Sequence, residues 1–279
     1  MDGVIISFLK ISIKKFLKLL GLRLMLDRNS LTLNSYIQDL EASLFRIKPE
    51  HKTFQIIDRY QNNFSRFIEL SNSQFGQEIL ALTINNWKRN GFFVEFGALD
   101  GKTHSNTYML EKEFGWNGIV AECGMRWEQE LLRNRKCKIE RSAVWKETGK
   151  ELIFIDCESP GLSTLEEYRE SDGHALLREK GKSYKVKTIS LIDLLRKHES
   201  PKRIDYMSID TEGSEWDILR DFPFKNYEIG VLTIEHNFNL NREKIQKLLF
   251  ANGFKQIYSD LSEIEDWFIP VGTPITLEK

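Results

Sequence analysis

The stretch VEFGALDG, residues 94–101, joins an apolar run to a pair of glycines, and it decides the fold. The apolar run at residues 92–96 is typical of a buried strand. Gly97 and Gly101 let the backbone turn sharply and let a ligand approach closely. Since ligands of doubly wound sheets bind where the strands end, we expect a binding site here. The stretch has neither the GxGxxG spacing nor a P-loop lysine, which argues against a phosphate-bearing ligand.

Two acidic residues belong to this predicted site. Glu95 lies at the strand end, where its carboxylate could accept a hydrogen bond from a ligand amine. Glu122 ends the next predicted strand, a position at which an acidic residue binds ribose hydroxyls. Nicotinamide cofactors are bound in this way too. The missing phosphate loop favours an adenosine joined to an amino acid, as in S-adenosylmethionine.

Downstream of residue 91, short runs rich in β-branched and aromatic residues alternate with helical segments such as 190–198 and 242–252. The runs are residues 92–96, 118–122, 138–144, 204–210, 229–235, 254–259 and 267–271. Ser190 and Asp193 predict a capping box for the first helix. This alternation predicts an open α/β sheet with helices on both faces. Residues 152–187 interrupt it and are predicted to form an insertion or lid.

The N-terminal segment, residues 4–26, is apolar but is interrupted by five basic residues. It is therefore a poor candidate for a membrane-spanning helix or a secretory signal. Two interpretations stay open: an amphipathic helix at a membrane surface, and a terminal helix that packs on the domain or on a second subunit, as in a homodimer. We predict a helical extension over residues 1–70 and a catalytic domain over residues 71–279.

Bulk composition excludes some classes of partner. The chain has 279 residues and a formal net charge of −1, without a basic stripe, so nucleic acid is not a predicted partner. Cys123, Cys137 and Cys157 do not have the spacing of a metal site or a disulfide framework. Reduced cysteines fit a cytoplasmic protein, which residues 4–26 could bring to the inner face of the membrane.

Five ordered blocks of the chain together resemble the FkbM family of methyltransferases. They are SQFGQ at 73–77, GFFVEFGALDG at 91–101 with SNT at 105–107, GWNGIVAE at 115–122, AVW at 143–145 and SIDTEGSE at 208–215. The resemblance covers residues 71–270 and departs at Cys123, where the family commonly has proline. It implies a Rossmann-like class I methyltransferase fold, with a seven-stranded sheet whose last strand is antiparallel. It also implies S-adenosylmethionine as the donor and O-methylation, often of sugars.

The resemblance further implies which residues contact the cofactor. They are Gln74, Glu95, Gly97, Ala98, Asp100, Gly101, Thr103, Asn106, Glu122, Cys123, Ser142, Ala143 and Asp210.

A second acidic group follows the fourth and fifth predicted strands. Asp210, Glu212 and Glu215 come after the fourth, and Glu235 and His236 come after the fifth. Methyl transfer to a hydroxyl requires loss of its proton, to a general base or with the help of a divalent cation. We predict Mg²⁺ or Mn²⁺ at Asp210, Glu235 and His236, and the same three residues are the catalytic candidates. The alternatives are a helix-capping role for Glu215, a loop-bracing role for Glu212 and a structural role for His236.

The leading hypothesis is an O-methyltransferase that acts on a sugar hydroxyl of a glycan or a glycosylated small molecule. A nicotinamide dehydrogenase is disfavoured by the absent GxGxxG spacing. A non-catalytic adaptor that retains the fold is the third hypothesis. The intact set of Glu95, Asp100, Glu122 and Asp210 argues against it.

Overall fold

The computed structural model describes residue 67 and residues 70–159 and 161–274. All of them fall in the second of two units into which the chain divides, Ile47–Lys279. The predicted helix at residues 4–26 lies outside the described residues, and the predicted boundary at residue 70 stays a prediction. Within the described ranges, no helix is both long and apolar enough to cross a membrane.

The described strands and helices alternate along the chain. The strands are β1 Phe92–Phe96, β2 Asn117–Ala121, β3 Lys138–Glu140, β4 Ala143–Trp145, β5 Glu151–Asp156, β6 Thr164–Leu165, β7 Lys182–Ser190, β8 Arg203–Ile204, β9 Tyr206–Ile209, β10 Glu228–Ile229, β11 Leu232–Glu235, β12 Phe254–Ile257 and β13 Glu265–Pro270. The α-helices are α1 Gln77–Ile84, α2 Tyr108–Phe114, α3 Glu128–Asn134, α4 Ala175–Arg178, α5 Leu191–Lys197, α6 Glu215–Leu219 and α7 Arg242–Ala251.

Seven strands form the main sheet in the order β12-β13-β11-β9-β1-β2-β3. Strands β3, β2, β1, β9 and β11 pair in parallel, whereas β13 is antiparallel to both of its neighbours. The predicted class I sheet with an antiparallel last strand is therefore confirmed.

Helices cover both faces of this sheet, as predicted. Phe93 of β1 packs in one buried cluster, with Leu110 of α2. Its neighbour Val94 packs in another, with Leu194 of α5 and Leu249 of α7. Because both faces are buried, the central strands are apolar at nearly every position instead of at every second one.

The run at residues 138–144 was expected to form one strand, but the structure divides it into two, β3 and β4. Strand β3 belongs to the main sheet, whereas β4 belongs to a second, four-stranded sheet in the order β4-β7-β5-β6. The carboxylate of Glu140 accepts hydrogen bonds from the backbone N–H groups of Arg141 and Ser142, which turns the chain out of the main sheet.

The predicted insertion, residues 152–187, supplies most of this second sheet. Strand β5 pairs antiparallel with both β6 and β7, and α4 lies between β6 and β7. Helix α5 then begins where the capping box predicted, since Ser190 Oγ accepts the N–H of Asp193 at 3.3 Å.

Candidate active site

Four predicted site residues form one row along the carboxyl edge of the main sheet. Strand pairing sets Phe96 level with Ala121 and Ile209, and Ile209 level with Ile234. The next residue of each strand is Gly97, Glu122, Asp210 or Glu235. Parallel sheets bind ligands at this edge, so the row defines the candidate active site.

The glycine loop, residues 97–101, approaches the end of β9 very closely. Gly97 has a φ of 75°, and a Cβ at this position would lie 1.9 Å from the backbone oxygen of Asp210. Only glycine accepts both the left-handed conformation and this contact. Gly97 is itself exposed, so its backbone is open to a ligand at this point.

Glu95 braces the loop that follows the glycines. Its buried carboxylate accepts hydrogen bonds from the backbone N–H of Asn106 at 2.6 Å, and from the hydroxyls of Ser105 at 3.0 Å and Thr107 at 2.5 Å. Arg135 adds an ion pair at 3.3 Å. The protein thus supplies several partners for the carboxylate that was expected to meet a ligand amine.

Sequence reasoning missed Arg135. Its fully buried guanidinium also donates to the Gly101 carbonyl at 3.2 Å and to Glu111 at 2.7 Å. Arginine is rarely buried, and no motif identifies this one, since its partners come from three earlier segments. It fixes the glycine loop and the start of α2 together.

Asp100 and Thr103 form a closed turn at the end of the glycine loop. Asp100 accepts the backbone N–H groups of Lys102 at 2.8 Å and Thr103 at 2.6 Å, and also the Thr103 hydroxyl at 2.8 Å. Asn106 is buried and donates from Nδ2 to the Ser208 hydroxyl at 2.8 Å, which ties this region to β9.

Glu122 occupies the predicted ribose position at the end of β2. Its two carboxylate oxygens accept the backbone N–H groups of Leu99 at 2.9 Å and Gly124 at 2.6 Å, so it joins the glycine loop to the loop after β2. Burial raises the pKa of Glu122 to about 7, although these two hydrogen bonds oppose the shift.

The other predicted cofactor residues lie in the neighbouring loops and packing. Ala98 is a buried residue of the glycine loop, and Cys123 is half-buried next to Glu122. Ser142 lies between β3 and β4, Ala143 begins β4, and Gln74 is half-buried in the turn before α1.

The acidic cluster consists of Asp210, Glu212 and Glu235. One carboxylate oxygen from each lies within 4.8 Å of the others. Burial raises the pKa of Asp210 to about 7, and the nearby Glu215 and Glu95 charges act in the same direction. Burial and the Asp210 charge likewise raise the pKa of Glu235 well above its usual range. Such a crowd of buried carboxylates favours protonation or a bound cation.

The predicted metal ligands were Asp210, Glu235 and His236. In the structure the third member of the cluster is Glu212 instead of His236. His236 Nδ1 accepts the backbone N–H of Phe238 at 3.0 Å, and Nε2 lies 3.7 Å from Asp266 on β13. Burial lowers the pKa of His236, although Asp266 opposes this. Nε2 has no hydrogen-bond partner among the described residues, so the catalytic and structural roles of His236 both stay predictions.

Glu215, for which a helix-capping role was the alternative, instead braces the preceding loop, a role that was considered for Glu212. Its Oε1 accepts the backbone N–H groups of Thr211 and Gly213, at 3.1 and 3.0 Å, and the Thr211 hydroxyl at 2.9 Å. It therefore shapes the loop that carries Glu212.

The strand order and the row of acidic residues beside the glycine loop together define a methyltransferase of the class I architecture. A model of the methyltransferase FkbM domain matches residues 95–269, more than half of the chain, and the chain belongs to this family. The predicted family is thus confirmed, and membership implies S-adenosylmethionine-dependent methyl transfer. No curated protein gives a significant sequence match.

Among solved structures, the chain is similar to a precorrin-6y C5,15-methyltransferase from Geobacter metallireducens. The two share 9% sequence identity with a TM-score of 0.36, over 69% of this chain and 85% of the other. The assignment to the family depends on the domain match alone.

Proposed function

We propose that this methyltransferase transfers the methyl group of S-adenosylmethionine to a sugar hydroxyl of a glycan or a glycosylated small molecule, assisted by a divalent cation. The observation that carries the proposal is the acidic cluster, in which the buried Glu212 and Glu235 meet the half-buried Asp210 at the end of β9, the strand that pairs with β1. It puts oxygen ligands at the edge of the sheet where the donor is expected.

The donor half of the site fits an adenosyl amino acid. Gly97 exposes its backbone where a side chain would clash with Asp210, and Glu122 offers carboxylate oxygens to ribose hydroxyls. S-adenosylmethionine supplies an electrophilic methyl group. In the transfer, the acceptor oxygen forms a bond to the methyl carbon, the carbon–sulfur bond breaks, and its electron pair stays on sulfur. The hydroxyl proton passes to a general base, for which a carboxylate of the acidic cluster or His236 is the candidate.

The acidic cluster fits Mg²⁺ or Mn²⁺, since both prefer oxygen ligands. A second observation supports a cation: Oε2 of the buried Glu235 has no hydrogen-bond partner among the described residues. Buried polar atoms are nearly always satisfied, so this oxygen needs a partner that the described protein atoms do not supply. A bound cation would lower the pKa of a hydroxyl that contacts it.

An exposed aromatic ring beside the cluster supports a sugar acceptor. Phe238 is 70% exposed, and its ring centroid lies 5.1 Å from that of His236. Asn237 and Phe238 both have positive φ, 39° and 56°, a strain that is concentrated at functional sites. The apolar C–H face of a pyranose packs on such a ring while its hydroxyls stay free for polar groups.

The test is a screen of methyl transfer to candidate glycans, with and without excess chelator, together with calorimetry of S-adenosylhomocysteine binding. We expect binding of the cofactor product, methylation of at least one sugar, and recovery of chelated enzyme by Mg²⁺ or Mn²⁺. Full turnover in chelator would overturn the metal proposal alone. Product binding with methylation only of acceptors that lack sugars would overturn the acceptor class. No binding would favour the adaptor.

A further inference from the structure

One arginine of the insertion contacts the acidic cluster. Arg178, the last residue of α4, is fully buried. Its guanidinium donates to the carbonyls of Leu162 at 2.8 Å and Arg169 at 3.1 Å, and it forms a bidentate ion pair with Asp172. The remaining contact leaves the insertion: Nη2 donates to Oε2 of Glu212 at 2.8 Å.

The insertion also forms hydrogen bonds with the backbone of Glu212. Thr164 Oγ1 donates to the Glu212 carbonyl at 2.8 Å, and Ser171 Oγ lies 3.5 Å from the same oxygen. Glu212 has a φ of 58°, which is unfavourable for a residue with a side chain. Contacts from the insertion therefore hold both the backbone and the side chain of Glu212.

We propose that Arg178 is a positioning residue that makes Glu212 the third ligand of the divalent cation. This inference rests on the metal site proposed above. Arg178 and Asn237 contact only Oε2 of Glu212, at 2.8 and 3.4 Å. Oε1 is the oxygen left to face the cation, because the guanidinium holds Oε2 on the side of the insertion. Groups that orient metal ligands in this way typically contribute about 10- to 100-fold to metal affinity.

The positive charge of Arg178 does not occupy the cation's place. Its Nη1 and Nη2 atoms are already shared with Asp172, and only one N–H bond points to Glu212. A lysine would keep the charge but not the planar fork that satisfies Asp172 and Glu212 together. The geometry of the fork, and not the charge alone, is what orients Glu212.

The experiment measures Mn²⁺ affinity of the full-length protein from the electron paramagnetic resonance signal of free Mn²⁺. The variants are Arg178→Met, Arg178→Lys and Asp172→Asn, and the control is Arg196→Met, since Arg196 is 69% exposed on α5. Calorimetry with S-adenosylhomocysteine checks that each variant keeps the donor site.

We expect Arg178→Met to weaken Mn²⁺ binding about 10- to 100-fold, Arg178→Lys to recover part of this loss, and Arg196→Met to match the wild type. Asp172→Asn keeps Arg178 but loosens its fork, and we expect a smaller loss in the same direction. It replaces Arg178→Met if that variant does not fold.

The two proposals fail separately. A wild-type protein that binds S-adenosylhomocysteine but not Mn²⁺ removes the metal site, and the role of Arg178 with it. A wild type that binds Mn²⁺, with Arg178→Lys and Asp172→Asn binding it equally well, overturns the positioning role alone.

Discussion

Replacing Gly97 with alanine should damage the active site far more than the same replacement at Gly149. Both glycines have positive φ, 75° and 84°. At Gly149 an added Cβ would meet no atom within 4 Å, whereas at Gly97 it would lie 1.9 Å from the Asp210 oxygen. The pair separates the cost of the backbone conformation from the cost of the contact.

The magnitudes follow from these two distances. Alanine in the left-handed conformation costs about 1–2 kcal/mol, which is the whole effect expected for Gly149→Ala. Gly97→Ala must in addition move the glycine loop and the end of β9 apart by roughly 1 Å, because real Cβ atoms do not approach oxygen closer than about 3 Å. A displacement of about 1 Å at reacting groups can cost about 100-fold in rate.

The assay combines urea unfolding with calorimetry of S-adenosylhomocysteine binding and with kcat/KM for methyl transfer. We expect Gly149→Ala to lose stability but keep its affinity for the cofactor product. We expect Gly97→Ala to lose more stability and about 100-fold in kcat/KM. If the two variants are alike in affinity and rate, the close approach of Gly97 to Asp210 does not shape the site.

Three further predictions concern the donor, the metal and the acceptor. Because the pKa of Glu122 is raised to about 7, affinity for S-adenosylhomocysteine should rise as the pH rises through that value, and Glu122→Gln should flatten this profile. The same shift from 4.5 predicts that the Glu122 contribution to stability falls as pH rises from about 4.5 to about 7, since the folded state binds more protons than the unfolded state in that interval. Glu235→Gln should reduce Mn²⁺ affinity and turnover by at least about tenfold at constant affinity for the cofactor product, and unchanged Mn²⁺ binding would count against Glu235 as a ligand. Phe238→Ala should raise KM for a sugar acceptor roughly two- to tenfold, Phe238→Trp should restore it, and the control Leu240→Ala, at a 94% exposed residue of the same loop, should have no effect.

Sequence patterns predicted the main sheet well because strand periodicity and glycine positions are local properties. The strand at Phe92–Phe96 and the cap of α5 at Ser190 agree with the structure to the residue. The break between β3 and β4 was missed because it depends on Glu140, whose carboxylate turns the following two amides.

The sequence predicted the residues of the candidate site that directly follow the strands, but not those that other segments bring to it. Asp210 and Glu235 were expected together because parallel strands end at one edge. The presence of Glu212 in the cluster, where His236 was predicted, depends on residues far along the chain. Asp266 on β13 lies near the imidazole of His236, and Arg178 forms an ion pair with Glu212. Arg135 was missed for the same reason, since a buried ion pair has no signature in a single sequence.

The separate sheet of the insertion has a consequence for protein engineering. Its contacts with the rest of the domain include those that Arg178 and Thr164 make to Glu212, the hydrogen bond from Tyr168 to Asp217, and the ion pair between Asp156 and Arg126. An insertion transplanted from a related enzyme would therefore have to keep its contacts with Glu212, with Asp217 and with the loop that follows Glu122. The graft would have to carry the Arg178–Asp172 pair as a unit, because Asp172 without Arg178 would leave two buried carboxylates, Asp172 and Glu212, without their ion-pair partner.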